Sequence, residues 1–361
     1  MKKRIFHLCV LFVIVLILFR AESVITHTKE SVIMCFDIII PSLFPFFVCS
    51  GLLIYSGFAE SVAKYARHIM RPVFNVAPTG AAAFVLGIIS GFPSGAICAR
   101  DLYKCGNLSK AEAERLLSFC NNSGPLFIIG SIGTAIYSKP IYGVVLYLIH
   151  IISSVIVGII FRGYGKNRHS SPPTRINTNE FSIPQAVTVS LDTASKNILT
   201  VCFSIIFFSA IARTLFELLP LTPTLDAIVS GLCEFSTGVL KVSGLDSNIA
   251  QKLVLTSLIV GFSGLSVHLQ VMSVTADAGL SLTPYILGKS LHGIISAILT
   301  AGAIFISRLQ IAPLKNVPVL SASCFTSALF AIISVTVIVL LVICFKRKRN
   351  HVQMIDIAHN L

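Results

Sequence analysis

Four short stretches hold most of the residues in this chain that could do chemistry in an apolar surround. They are Gly91, Phe92, Ser94 and Gly95 in SGFPSG, Asn121, Asn122 and Ser123 in CNNSGP, Gly261, Phe262, Ser263 and Gly264 in VGFSG, and Lys289, Ser290 and His292 in the last stretch. Glycine and proline interrupt a helix and leave backbone amides without partners, and half-helix N-termini that face a small cavity favour anions. Asn and Ser side chains add donors and acceptors, and Lys289 and His292 add positive charge. The chemistry is that of holding a small anionic solute. Bond making is not indicated: no Ser-His-Asp order, H-E-x-x-H motif or pair of intramembrane carboxylates is present, and no enzyme is expected. Ten cysteines without a C-x-x-C pair or clustered histidines give no disulfide framework, metal site or cofactor. Asp37, beside Pro41 and Pro45, is a candidate proton relay or counter-ion, with a shallow solvated position as its alternative.

Blander roles compete at each position. Glycines in membrane helices also serve close packing, and serines bond their own backbone. Lys289 could snorkel to an interface, His268 and His292 could be satisfied packing residues, and Phe92 could fill a core.

The elements that must position these residues are apolar helices. Of 361 residues 55% are apolar and 12% charged, against about 25% charged in a soluble domain. Apolar stretches recur at 5–19, 32–57, 141–161, 198–219, 251–276, 285–307 and 321–345. Most reach the approximately 20 residues a helix needs to cross a bilayer. The net charge of +13 comes from short basic clusters beside these stretches, a topology signal that speaks against nucleic acid. The lipid bilayer is the expected surround.

The chain divides at a polar linker, 162–184, whose basic residues place it in the cytoplasm. Before it come an uncleaved membrane anchor at 1–30 and a first repeat at 31–161, with a surface helix at 58–75, a re-entrant hairpin at 80–104 and a broken helix at 109–137. Ser109-Lys110-Ala111-Glu112 reads as a capping box at the start of that helix. After the linker comes a second repeat at 185–345, with a hairpin at 249–277 and a broken helix at 283–307, then a basic tail at 346–361. The echo of SGFPSG in VGFSG, 170 residues later, suggests the repeat. The side of the tail depends on whether 249–277 is a hairpin or a full span. Between Leu221 and Asp246 the acidic residues Asp226, Glu234 and Asp246 suit the outer surface.

The stretch GFPSGAICARDLYKCGNLSKAEAERLLSFCNNSGPLFIIG, Gly91 to Gly130, resembles the signature of YlbJ-type sporulation integral membrane proteins, of the nucleoside-recognition (Gate) domain superfamily. The resemblance implies an all-α polytopic membrane protein built of two inverted repeats, each with a re-entrant helical hairpin and a broken transmembrane helix. It further implies a transporter or facilitator that moves dipicolinic acid from the mother cell toward the forespore for spore cortex and core maturation. Its place would be the outer forespore membrane, facing the mother cell cytoplasm. A dicarboxylate of this kind suits the proposed site, and its ring could stack on Phe92 or Phe262. Homo-oligomers or other sporulation membrane proteins are the expected protein partners. The alternatives are a non-transporting scaffold for cortex formation and a nucleoside transporter.

Overall fold

The computed structural model describes residues 2–55, 64–66, 68–165 and 183–311, and every regular element among them is helical. The described residues up to Thr300 form one compact unit, and those from Ala301 on are set apart from it. The expected apolar stretch at 321–345, the tail at 346–361, most of the linker and the start of the surface helix lie outside the described residues.

In chain order the helices are α1 (Lys2–Phe19), α2 (Ala21–Met34), α3 (Ile40–Tyr55), α4 (Ala81–Ser90), α5 (Ser94–Lys104), α6 (Lys110–Cys120), α7 (Pro140–Phe161), α8 (Ile183–Phe216), α9 (Pro223–Cys233), α10 (Phe235–Ser243), α11 (Ile249–Phe262), α12 (Gly264–Thr275) and α13 (Thr283–Ile311). Three π-helical segments, Cys35–Ile39, Met70–Phe74 and Leu126–Ile136, complete the main elements. Four stretches, Pro140–Phe161, Ile183–Phe216, Ile249–Ala278 and Thr283–Ile306, are long and apolar enough to cross a bilayer, and α1 with α2 makes a bent pair with an angle of 98°. Large apolar side chains face outward on the long helices, among them Phe19, Phe36, Phe203, Phe207 and Ile298. In water such faces would be a liability, whereas hydrocarbon is their natural surround.

The π segment between α2 and α3 has a local cause. Pro41 has no N–H to give to the Asp37 carbonyl, and the widened turn, in which Ile40 N–H bonds to Cys35 O, carries the chain past it. The resulting long rod packs antiparallel to α8. His27 and Glu30 near one end meet Glu217 and Arg213 at 2.7 and 2.6 Å, Cys35 Sγ reaches Cys202 O at 3.8 Å, and Gly51 at the other end faces Ser190. The seam between the rods is apolar, with Ile39, Phe47, Ile198 and Val201 buried in it.

Helices α4 and α5 pack against each other across a turn at Gly91–Pro93, and their crossing is lined by glycine. A Cβ at Gly87 or at Gly95 would overlap the Cys120 carbonyl. The surface-helix region contributes inward as well: Met70 and Phe74 are buried, and Phe74 stacks on Phe119 with ring centroids 4.7 Å apart. Helix α6 begins at the expected capping box, in which the Ser109 hydroxyl accepts from Glu112 N–H and the Glu112 carboxylate accepts from Ser109 N–H.

The second half differs from expectation in three places. Helices α9 and α10 form a packed pair over 223–243, with a turn at Glu234 and a glycine crossing at Gly231 and Gly238. The acidic residues Asp226 and Glu234, expected at the outer surface, have partners within this pair. Lys241 Nζ donates to both Asp226 oxygens at 2.8 Å, and Glu234, 1% exposed, accepts from Ser236 N–H, the Ser236 hydroxyl and Thr237 N–H. Ile249–Ala278, expected as a hairpin, is instead a single span-length stretch with an interruption at Ser263. Thr283–Ile311, expected as the broken helix, is continuous past Lys289 and His292. The physical reason is plain: nothing between Tyr285 and Ser296 removes a backbone N–H, whereas Ser263 and Gly264, with φ of 76° and 74°, leave helical geometry.

Candidate solute-binding site

The interruption after α6 is the structural centre of the site. Asn121 is extended, Asn122 Nδ2 donates to Phe119 O at 2.9 Å, and Pro125 opens the next helical segment. The freed Ser123 N–H donates to His150 Nε2 on α7 at 3.1 Å. Asn121 is 1% exposed, and neither atom of its side-chain amide meets hydrogen-bond geometry, although the Tyr285 hydroxyl lies beside it.

Helix α13 presents Lys289, 1% exposed, to this break. Its Nζ donates to Asn121 O at 3.2 Å and lies 3.1 Å from His292 Nδ1. His292 Nε2 lies 2.9 Å from His150 O, and because a carbonyl only accepts, this nitrogen carries the proton. His292 Nδ1 is then the acceptor of the Lys289 bond. By the same accounting His150 Nε2, which takes the Ser123 N–H, carries no proton. The two rings face each other with centroids 4.3 Å apart. No carboxylate among the described residues pairs with Lys289, and the Phe92 ring lies 5.4 Å from Nζ to centroid.

Phe92 also lines a cavity of about 60 Å³ between the α4–α5 turn, the Asn121–Pro125 break and the start of α10, closed on the other side by α3 and α8. Its polar contributors are serines and Gln270, its aromatic ones Phe92, Phe127 and Phe235. Phe235 meets Phe92 edge-on at 5.7 Å and Phe127 at 4.9 Å. Lys289 is not part of this lining, and Phe92 is the residue that touches both the cavity and the amine.

The expected residues therefore separate into groups. Gly91, Phe92 and Ser123 line the cavity, and Asn121, Lys289 and His292 form the polar cluster beside it. Ser94 is buried behind the turn, and Gly95 is filled by the Cys120 carbonyl. Gly261 faces Gly293, Phe262 packs on His268 at 4.8 Å, the Ser263 hydroxyl bonds Val260 O, and Gly264 lies against backbone of the α9–α10 turn. Ser290 bonds Ile286 O of its own helix. Asp37 is exposed on its π segment and is not part of the cavity lining. His268 donates from Nδ1 to Gly264 O at 2.7 Å, a packing role, although its Nε2 has no partner.

Sequence reading passed over His150, Phe235 and Gln270. His150 had a usable signal, being an ionisable residue in the middle of a highly apolar stretch, where such residues mark function by default. Among the described residues no three His, Cys, Asp or Glu side chains converge as metal ligands.

In comparisons with known proteins, the chain is 30% identical over 324 residues to the sporulation integral membrane protein YlbJ of Bacillus subtilis (strain 168), covering 78% of this chain and 79% of that one. No family model matches the chain, and no solved structure does.

Proposed function

The chain belongs to the family of YlbJ-type sporulation integral membrane proteins, and from that premise we propose that it carries or conducts a small anionic solute across the membrane. The solute suggested by the family resemblance is dipicolinate, moved from the mother cell toward the forespore across the outer forespore membrane. The observation that carries this reading is the Lys289 amine, buried beside a helix interruption with no carboxylate partner among the described residues. Charges at such depth are paired or face a polar guest, and an anion is the guest that complements an amine next to loosened backbone.

Internal symmetry supports the transport reading. The turn at Glu234 follows that at Gly91 by 143 residues, the interruption at Ser263 follows that at Asn121 by 142, and the start of α13 follows that of α7 by 143. Residues at equivalent positions touch: Phe92 meets Phe235, and His150 meets His292, pairs separated by 143 and 142 residues. Contacts between equivalents are what a twofold axis between two repeats produces. In this register each repeat has a hairpin, a broken span and a continuous span, and α8 between them reverses the second, so the repeats are inverted. Alternating access by rocking one such repeat against the other is the usual consequence.

The test is the dipicolinate content of spores from cells that lack the protein and still synthesise the acid. The proposal expects a severe deficit; spores with normal content would exclude it. A scaffold for cortex assembly is favoured by one observation, the filling of Gly87, Gly95 and Gly261 by backbone. That reading expects Lys289→Met and Asn121→Ala proteins, provided they fold and localise, to support normal spores.

A further inference from the structure

The hydrogen bonds around Lys289 count its protons. Two acceptors are in reach of Nζ, the Asn121 carbonyl at 3.2 Å and the unprotonated His292 Nδ1 at 3.1 Å. Among the described residues no third hydrogen bond and no ion pair holds this amine. A neutral amine has two N–H groups and an ammonium three. The protein thus matches the uncharged amine and leaves the third proton of the charged form without an acceptor. The Phe92 ring, 5.4 Å from Nζ, is also a wall of the cavity and so joins the amine to it.

The groups around the amine are bonded in the same sense. His292 gives its Nε2 proton to His150 O and accepts at Nδ1, while His150 Nε2 takes Ser123 N–H, so each of these rings carries one proton. His268 on α12 gives its Nδ1 proton to Gly264 O, and its buried Nε2 has no partner to hold a second proton. The other titratable neighbours are the Cys120 thiol at the end of α6 and the Tyr285 phenol one turn before Lys289. A charge without a partner is costly at this depth. A cluster bonded throughout as neutral groups therefore takes on positive charge only together with negative charge.

We infer that Lys289 is a proton-binding site whose proton travels with the solute, which makes the protein a proton–anion symporter. The inference rests on the anion reading and adds the coupling. As the anion enters, the amine lone pair takes one proton from water on that side, and the new third N–H donates to the anion. Proton and anion leave together on the other side, and the amine returns to its two bonds with Asn121 and His292. One proton is taken up and one released, with no electron transfer. His292 orients the amine by accepting one N–H and is not itself the carrier.

The experiment uses the purified full-length protein in liposomes, with labelled dipicolinate as the probe and the membrane potential held at zero by potassium and valinomycin. Entry into protein-free liposomes is subtracted. With the lumen more alkaline by about one pH unit, the wild type is expected to concentrate the acid about tenfold inside, the worth of one proton per anion. Without the gradient it should only equalise the two sides. Two variants break the cycle from opposite ends: Lys289→Arg stays charged at every working pH, and Lys289→Gln offers two N–H groups but cannot take a third proton. In each, whatever uptake remains should reach the same level with and without the gradient, a ratio of about one. Because that ratio is taken within one protein, a general loss of rate does not imitate it. Should neither variant fold, the wild-type ratio decides. Saturable wild-type uptake that the gradient does not concentrate overturns the inference and leaves the anion reading standing. Tenfold concentration retained in Lys289→Arg or Lys289→Gln overturns the assignment to this amine, and no uptake by the wild type overturns both readings.

Discussion

Glu234 shows how a charged residue can be structural within an apolar fold. Its carboxylate accepts three hydrogen bonds at the start of α10, two of them from backbone amides that the helix cannot satisfy. Glu234→Ala strands those buried donors and should cost about 1–3 kcal/mol, read as a lower midpoint of thermal unfolding in detergent. Gln in its place keeps one acceptor and should recover part of the loss. The glycine crossings make an equally specific claim. Gly87→Ala drives a Cβ into the Cys120 carbonyl and should destabilise the protein by about 1–3 kcal/mol. Gly163→Ala, where nothing lies within 4 Å, should stay within about 0.5 kcal/mol. Equal effects from the two alanines would show that the crossing is not close-packed.

At the level of elements, the two glycine-crossed pairs, α4–α5 and α9–α10, are expected to open on opposite sides of the membrane. With the native cysteines replaced, Lys110→Cys should react with an impermeant maleimide only from the linker side, and Asp246→Cys only from the other. Both positions are exposed. Labelling of both from one side would remove the inverted arrangement. The first pair was legible in sequence because Gly91 and Pro93 interrupt a run of otherwise apolar residues. The second was not, since the Asp226–Lys241 ion pair and the Glu234 cap put charge where a loop is usually read. In the proposed register Phe92 pairs with Phe235, one element away from the sequence reading, which paired SGFPSG with VGFSG. A short similarity of glycines and phenylalanine outweighed a constant spacing of 142–143 that needs helix ends to be known.

For the whole molecule, the bilayer surround was readable from composition, and the break at Asn121–Pro125 from residue type alone. What lines the cavity was not, because Gln270 and Phe235 sit in unremarkable local sequence and reach Phe92 only through long-range packing. The partners of Lys289 and His292 illustrate the same limit: Asn121 and His150 lie more than a hundred residues away in sequence. The central claim is that this amine, next to the loosened backbone, holds the anion in transit. Uptake of labelled dipicolinate into liposomes containing the purified protein tests it most directly. Saturable uptake by the wild type, reduced at least about tenfold in Lys289→Met as loss of roughly 1.4 kcal/mol of interaction requires, is the predicted result. Uptake of the same rate in both proteins, or none above empty liposomes in the wild type, would contradict the account.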